Sequence, residues 1–144
     1  MKELDQTAVQ KIIPHRDPML LVSTVKELEP GKRIVATLYV DPEWDIFKGH
    51  FPELPVLPGV YSVESMAQAA CILLLSTERY TGKVPLLIEI VHAKFFRKVF
   101  PGDTLEICAT LTNERPEKAI ATCSAELYSH DEQAANCEIT LALR

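Results

Sequence analysis

The feature that most constrains this fold is a helical segment, about Val60 to Arg79, that is apolar on nearly all sides. Between Met66 and Leu75 it carries a single polar side chain, Gln68. A helix of a soluble protein normally keeps one polar face, so a helix without one has to be enclosed by the rest of the fold. At 1.5 Å per residue the predicted helix is roughly 30 Å long. The remaining chain must supply a wall around it.

Segments on both sides of this helix alternate between apolar and polar residues, as strands with one buried face do. The pattern is clear where Leu105, Ile107, Ala109 and Leu111 share one side. Short connections such as 101–103 favour antiparallel neighbours. The sequence thus predicts an α+β fold in which a curled antiparallel sheet wraps around one long apolar central helix. A short helix is predicted at 4–13, and strands at 19–28, 34–40, 85–97, 104–113, 119–128 and 134–143.

Length and composition predict one globular domain over residues 1–144, with 47% hydrophobic and 24% charged residues. A formal net charge of -5 argues against nucleic acid as the main partner, since phosphate backbones are bound by basic surfaces. The four cysteines form no CxxC pair and lie in apolar-patterned segments, which predicts buried thiols in a reducing compartment.

Two observations predict a cytoplasmic protein that does not enter membranes. The start of the sequence has no apolar run behind a basic cluster, so we expect no signal peptide. The longest apolar stretch, Ala69 to Leu75, is far shorter than the roughly 18 residues that span a bilayer.

An imidazole and a carboxyl, His50 and Glu64, are separated by a loop rich in proline and the start of the apolar helix. The loop, residues 41–59, contains four prolines, and the residues before three of them are biased to extended geometry. We therefore expect a long but rigid loop, which is often functional. An acid and a base held in this way can remove a proton and a hydroxide from neighbouring carbons, which is dehydration.

Seven short motifs occur between about Val9 and the last predicted strand. They are His15-Arg16, Leu20-Leu21-Val22, Glu29-Pro30-Gly31, Gly49-His50-Phe51-Pro52, Pro55-Val56-Leu57-Pro58-Gly59-Val60, Glu64-Ser65-Met66-Ala67-Gln68 and Pro101-Gly102-Asp103. Together they resemble the 3-hydroxyacyl-(acyl carrier protein) dehydratases of type II fatty-acid synthesis. The resemblance implies a hot-dog fold and the conversion of (3R)-3-hydroxyacyl chains, bound to acyl carrier protein, into trans-2-enoyl chains. It also implies a homodimer, often a trimer of dimers, in which His50 of one subunit works with Glu64 of the other.

Dehydration of such a thioester needs a base, an acid and a donor to the enolate-like oxygen, and three residues suit these roles. His50 suits the base because an ordinary histidine is mostly neutral at pH 7. Glu64 suits the acid, because burial disfavours a charged carboxylate and should keep it protonated. Gly59 lies at the start of the helix, where free N–H groups and the helix dipole can bind an oxyanion. It is also a turn glycine after Pro58, and both readings can hold.

Two further assignments keep an alternative. Gln68, one turn beyond Glu64, either orients the acid or the released water as part of the substrate-binding site, or is simply a polar residue of the interface. Lys94, Arg97 and Lys98 form a docking patch for an acidic carrier protein or its phosphate, or else a solvated strand end. His15, His92 and His130 show no metal-ligand spacing, so we expect neither a metal nor a cofactor.

Three other functions stay open beside the plain dehydratase. One is a dehydratase that also isomerises the trans-2 double bond to cis-3, which uses similar groups. Another is a hot-dog acyl thioesterase, which the acid and base pair favours less than elimination. The third is a non-catalytic module that binds the acyl carrier.

Overall fold

The structure is a computed structural model that describes residues 3–144. The described chain contains three α-helices, six β-strands and two single 3₁₀ turns. The helices are α1 (Gln6–Gln10), α2 (Ile46–Gly49) and α3 (Gly59–Leu75), and the 3₁₀ turns are Glu78–Tyr80 and Pro116–Lys118. The strands are β1 (Thr24–Glu29), β2 (Arg33–Tyr39), β3 (Pro85–Phe95), β4 (Thr104–Arg115), β5 (Ile120–Ser129) and β6 (Glu132–Leu143).

The six strands form one sheet in the order β1-β2-β4-β5-β6-β3, and every neighbouring pair is antiparallel. The turn between β1 and β2 requires its glycine, because Gly31 has a φ of +73°. Its N–H donates to the carbonyl of Leu73, 3.1 Å away, so the hairpin turn is bound to the end of α3.

The sheet encloses α3, as the apolar sequence of this helix predicts. From Ser62 to Leu75 every residue except Glu64 is buried, and the helix packs against β2, β3, β4, β5 and β6. Burying one large apolar side chain is worth about 1.5–3 kcal/mol. This packing makes α3 the centre of the core.

Three elements differ most from the predicted bounds, and hydrogen bonds explain each difference. α3 ends at Leu75 rather than near Arg79, since the hydroxyls of Ser76 and Thr77 donate to the carbonyls of Leu73 and Leu74. α1 is shorter than predicted because Asp5 caps its start and the backbone of Leu4 pairs with Val25. The first strand begins at Thr24 rather than near Met19, because residues 19–22 bond to a side chain of α3, described below.

The two edges of the sheet differ in chemistry. Along β1 the edge carries Lys26, Glu27 and Glu29, and Leu4 pairs with part of it. Charged side chains and partial cover are the usual protection of an edge strand. The β3 edge carries Glu89, His92 and Lys94, but large apolar side chains along its first half are exposed by about half. These side chains are Leu86 (49%), Leu87 (42%), Ile88 (53%) and Ile90 (43%).

All four cysteines are free thiols, and three of them are buried as predicted. Burial raises the pKa of Cys123 to about 12 and that of Cys137 to about 11, so both stay protonated at neutral pH. Cys108 departs from the prediction because it lies on the half-exposed outer face of β4. No helix within residues 3–144 is both long enough and apolar enough to cross a bilayer.

Candidate active site

His50 lies directly after α2, in a loop that is closed by two hydrogen bonds between the same residues. The N–H of Val56 donates to the carbonyl of His50 at 3.1 Å, and the imidazole Nδ1 lies 2.9 Å from the carbonyl oxygen of Val56. A carbonyl oxygen can only accept, so the hydrogen of a neutral His50 is on Nδ1. The lone pair is then on Nε2, which is the form a base requires.

The loop that carries His50 is attached to the core at its far end. The N–H of Leu57 donates to the carbonyl of Val99 at 2.8 Å, and both Val56 and Leu57 are buried. The ring of Phe51 stacks on the imidazole with a centroid distance of 4.0 Å. These contacts restrict the position and the rotation of the His50 ring.

Gln68 is completely buried and uses all of its hydrogen-bonding capacity within the chain. Its Oε1 accepts from the N–H groups of Leu21 and Val22, at 2.9 and 3.4 Å. Its Nε2 donates to the carbonyl of Met19 at 2.7 Å and to Oε2 of Glu64 at 2.8 Å. No donor or acceptor remains for substrate or for released water. The geometry therefore supports an orienting role for Gln68 rather than direct substrate binding.

The prediction that Glu64 is buried is wrong for the described chain: Glu64 is the one residue between Ser62 and Leu75 that is not buried, and its side chain is 27% exposed because it lies on the side of the helix that the sheet leaves open. Its Oε2 accepts from Gln68, and the same oxygen lies 3.6 Å from Nε2 of His15. Oε1 has no partner among the described residues. One carboxyl oxygen is thus held by the protein and the other is available.

His15 was not among the predicted site residues. Its spacing from the other histidines and the cysteines excludes a metal-ligand pattern, which is the one role that the sequence analysis gives it. One sequence feature points to a role for His15 in the site: it belongs, with Arg16, to the first of the seven motifs. Its contact with Glu64 spans 49 positions of the chain and depends on the tertiary structure.

Gly59 is the first residue of α3, and no side chain caps this end of the helix. The N–H groups of Tyr61 and Ser62 donate to the carbonyl of Pro58, at 2.9 and 3.4 Å. The N–H groups of Gly59 and Val60 have no acceptor among the described residues, and they lie at the positive end of the helix dipole. They can therefore bind a developing negative charge.

Gly59 is also required sterically. A Cβ at this position would lie 3.0 Å from Cε1 of Phe95, which belongs to β3. The aromatic ring therefore packs directly against the backbone at the start of α3. This contact places the end of the exposed β3 edge beside the candidate oxyanion site.

His50 and Glu64 make no direct contact with each other within residues 3–144. The polar partner of the His50 ring is Val56, whereas those of Glu64 are Gln68 and His15. The described residues also contain no group of three or more His, Cys, Asp or Glu that could hold a metal ion.

The three basic residues after the middle of β3 are all exposed. Arg97 is paired with Glu132 at 2.6 Å. Arg97 and Lys98 line an open surface cavity of about 690 Å³ with three phenylalanines. Lys94 lies instead in a separate cavity on the outer face of the sheet. The structure thus divides the predicted patch between two surfaces.

Sequence comparison gives a consistent set of relatives. Residues 13–138 match the FabA-like domain family. The 3-hydroxyacyl-(acyl carrier protein) dehydratase FabZ of Lactobacillus helveticus is 42% identical over 140 residues, which cover 97% of this chain and 93% of the relative. The protein of the same name from Clostridium novyi is 45% identical over 139 residues, covering 94% of each chain.

Structural comparison supports the same fold at low sequence identity. The dehydratase heterocomplex ApeI:P from Xenorhabdus doucetiae is similar with a TM-score of 0.77 and 17% identity, covering 94% of this chain and 90% of that one. The PaaI protein of E. coli has a TM-score of 0.63 and 17% identity, covering 82% and 80%. The predicted hot-dog fold is confirmed. The chain therefore belongs to the FabA-like family and is related to the 3-hydroxyacyl-(acyl carrier protein) dehydratases.

Proposed function

We propose that this chain removes water from (3R)-3-hydroxyacyl groups on acyl carrier protein, giving trans-2-enoyl groups, with His50 as base and Glu64 as acid. The chain is a dehydratase, a hydro-lyase of fatty-acid biosynthesis, as its family indicates. The observation that carries the residue roles is the hydrogen bond from Nδ1 of His50 to the carbonyl of Val56. It leaves the basic lone pair on Nε2.

The reaction begins with proton abstraction. Nε2 of His50 takes the proton from the α-carbon, and the electron pair moves toward the thioester carbonyl. The N–H of Gly59 then donates to the developing oxyanion. Preorganised donors of this kind are worth roughly 3–4 kcal/mol each in acyl-transfer enzymes.

Elimination completes the reaction. The electron pair returns to form the double bond between the α- and β-carbons, and the bond from the β-carbon to the hydroxyl oxygen breaks. Oε1 of Glu64 gives its proton to this oxygen, so water leaves. The proton on His50 then passes to the Glu64 carboxylate, directly or through water, and the enzyme returns to its starting state.

We further propose that each working pair is formed by two subunits of a homodimer joined at the β3 edge. Two observations support this. Within one chain His50 and Glu64 have other partners. The β3 edge is long and unpaired and exposes large apolar side chains over residues 86–90, whereas the β1 edge exposes charged ones. Pairing β3 with β3 of a second copy would join the two sheets and cover this surface.

The remaining proposals concern assembly, carrier docking and location. We propose assembly into a trimer of dimers and docking of the acidic carrier at Arg97 and Lys98, beside the cavity lined by phenylalanines. Lys94 lies in a separate cavity on the outer face of the sheet, so it is left out of this docking proposal. The cytoplasm is the proposed location, in keeping with four free thiols.

Product analysis tests the reaction. Purified protein is incubated with 3-hydroxyacyl carrier substrates of several lengths, and the loss of one water is followed by mass. Chromatography then separates trans-2 from cis-3 products. We expect only trans-2-enoyl products. Free carrier thiol would indicate a thioesterase, a cis-3 product would indicate an isomerase, and binding without turnover would indicate a non-catalytic module.

Mixing two inactive variants tests the two-subunit site. His50→Ala and Glu64→Ala should each lower turnover by about 10²–10⁴-fold. In a mixed dimer one of the two sites would combine an intact His50 with an intact Glu64. Equal amounts mixed at random give half mixed dimers, so about a quarter of wild-type activity should return. A site formed within one chain would recover nothing.

A further inference from the structure

His15 presents one ring nitrogen to the candidate acid and buries the other. Its Nε2 lies 3.6 Å from Oε2 of Glu64. Its Nδ1 is the one buried side-chain nitrogen or oxygen in the described chain without a hydrogen-bond partner. Buried polar atoms are nearly always paired, so an exception in contact with an active-site carboxyl calls for an explanation.

The segment that carries His15 is held firmly. The guanidinium of Arg16 donates to the carbonyls of Gln10, Ile13 and His15 at 2.9, 3.0 and 2.7 Å. The amide of Gln6, in α1, donates to the carbonyl of Val22 at 3.0 Å and so connects α1 to the residues that follow His15. The position of the imidazole beside Glu64 is therefore a result of these bonds and is not the chance placement of a loose loop.

The unpaired Nδ1 indicates which nitrogen carries the hydrogen. A hydrogen on Nδ1 would be a buried donor with no acceptor, which costs a full hydrogen bond. An Nδ1 without a hydrogen is a buried acceptor without a donor. This costs less free energy, because unpaired acceptors are better tolerated than unpaired donors. The hydrogen is thus on Nε2, which points toward Glu64. Burial also lowers the pKa of His15, with a smaller opposing effect of Glu64, so the ring is neutral at pH 7.

We infer that His15 is a positioning residue for Glu64: its Nε2–H and the amide of Gln68 together hold Oε2, which leaves Oε1 to carry the transferable proton. This inference rests on the proposed role of Glu64 as the acid. At 3.6 Å the two atoms lie beyond hydrogen-bond distance, so the proposal requires this contact to shorten when substrate fills the site, as catalytic contacts of free enzymes often do.

Loss of kcat with little change in KM, and its rescue by an amide donor at the same position, form a readout that a purely structural role would not give. A group that orients the acid contributes to the chemical step on bound substrate, so its removal should slow that step and leave substrate binding unchanged.

The test compares three variants of the full-length protein with 3-hydroxyacyl carrier substrate. His15→Leu removes the donor, whereas His15→Gln can place an amide N–H near the position of Nε2. Gln6→Leu is the matched control, because it loosens the same segment without contact to Glu64. We expect His15→Leu to lower kcat by about 10-fold with little change in KM. His15→Gln and Gln6→Leu should each stay within about 3-fold of the wild-type kcat.

The outcomes separate this inference from the proposed function. Glu64→Gln is measured in the same series. If Glu64→Gln is inactive while His15→Leu keeps the wild-type kcat, the positioning role is wrong and the acid role stands. If Glu64→Gln is fully active, the acid role fails first. If Gln6→Leu lowers kcat as far as His15→Leu does, the effect belongs to the segment and not to His15. Thermal unfolding and gel filtration confirm that each variant keeps its fold and assembly.

Discussion

Replacing Gln68 by leucine tests the contribution of the buried amide most directly. The change keeps a similar volume in the core but removes four hydrogen bonds. The N–H groups of Leu21 and Val22 are left without an acceptor, and both residues are at most 2% exposed. Met19 is 49% exposed, so water can replace the donor to its carbonyl.

The cost in stability follows from the two orphaned donors. Each buried N–H without a partner costs about 1–3 kcal/mol, and the 3.4 Å bond from Val22 lies at the low end. The sum is about 2–5 kcal/mol. For a chain of 144 residues the unfolding entropy is about 0.3 kcal/mol per degree, so Tm should fall by about 7–17 °C.

The loss of activity in Gln68→Leu should arise only from its effect on Glu64. Loss of the Gln68 donor frees the carboxyl to rotate, and we expect kcat to fall by about 10- to 100-fold. Urea unfolding at fixed protein concentration measures stability, and steady-state turnover measures activity. In a Glu64→Ala background the same change should lower stability but cause no further loss of rate.

Two results would refute this reasoning. An unfolding free energy within about 0.5 kcal/mol of wild type would mean that the hydrogen bonds of the Gln68 amide are not needed to hold residues 19–22. An unchanged kcat in a clearly destabilised Gln68→Leu protein would mean that Gln68 does not orient Glu64.

Three further outcomes are expected. Gly59→Ala should destabilise the protein by about 1–3 kcal/mol in urea unfolding, because its Cβ meets the ring of Phe95 at 3.0 Å, and Phe95→Leu should relieve part of the loss. If β3 forms the proposed dimer interface, Ile88→Lys should give an inactive monomer in light scattering, since an added lysine opposes edge pairing; a stable dimer would exclude β3 as the interface. The lowered pKa of His15 means that the unfolded chain binds more protons below its ordinary value of 6.5, so this residue weakens the fold as pH falls through that value. His15→Leu should flatten the dependence of unfolding free energy between pH 7 and 5, and an unchanged slope would contradict this account.

Local patterns in the sequence predicted most of the fold. The absence of a polar face on the helix after Gly59 required an enclosing sheet, and period-2 alternation located β4, β5 and β6 within a few residues. These features follow from neighbours along the chain, because side-chain periodicity reports directly which face is buried. Element ends were less predictable, since they depended on single hydrogen bonds such as those of Ser76 and Asp5.

The sequence by itself determined the types of chemical group in the site and part of their setting. His50 and Val56, six residues apart, close one loop, so the tautomer of the base is a local property. The environment of the acid is not local. Gln68 bonds to backbone groups that lie 46 to 49 positions away in the sequence. His15 belongs to a segment that precedes β1 and β2 in the chain, whereas Glu64 follows both strands. The periodicity of the helix predicts that Gln68 is buried. It does not predict the hydrogen-bond partners of the amide, because these are backbone groups that only the tertiary fold brings near it. The tertiary structure alone therefore decided how Glu64 is held.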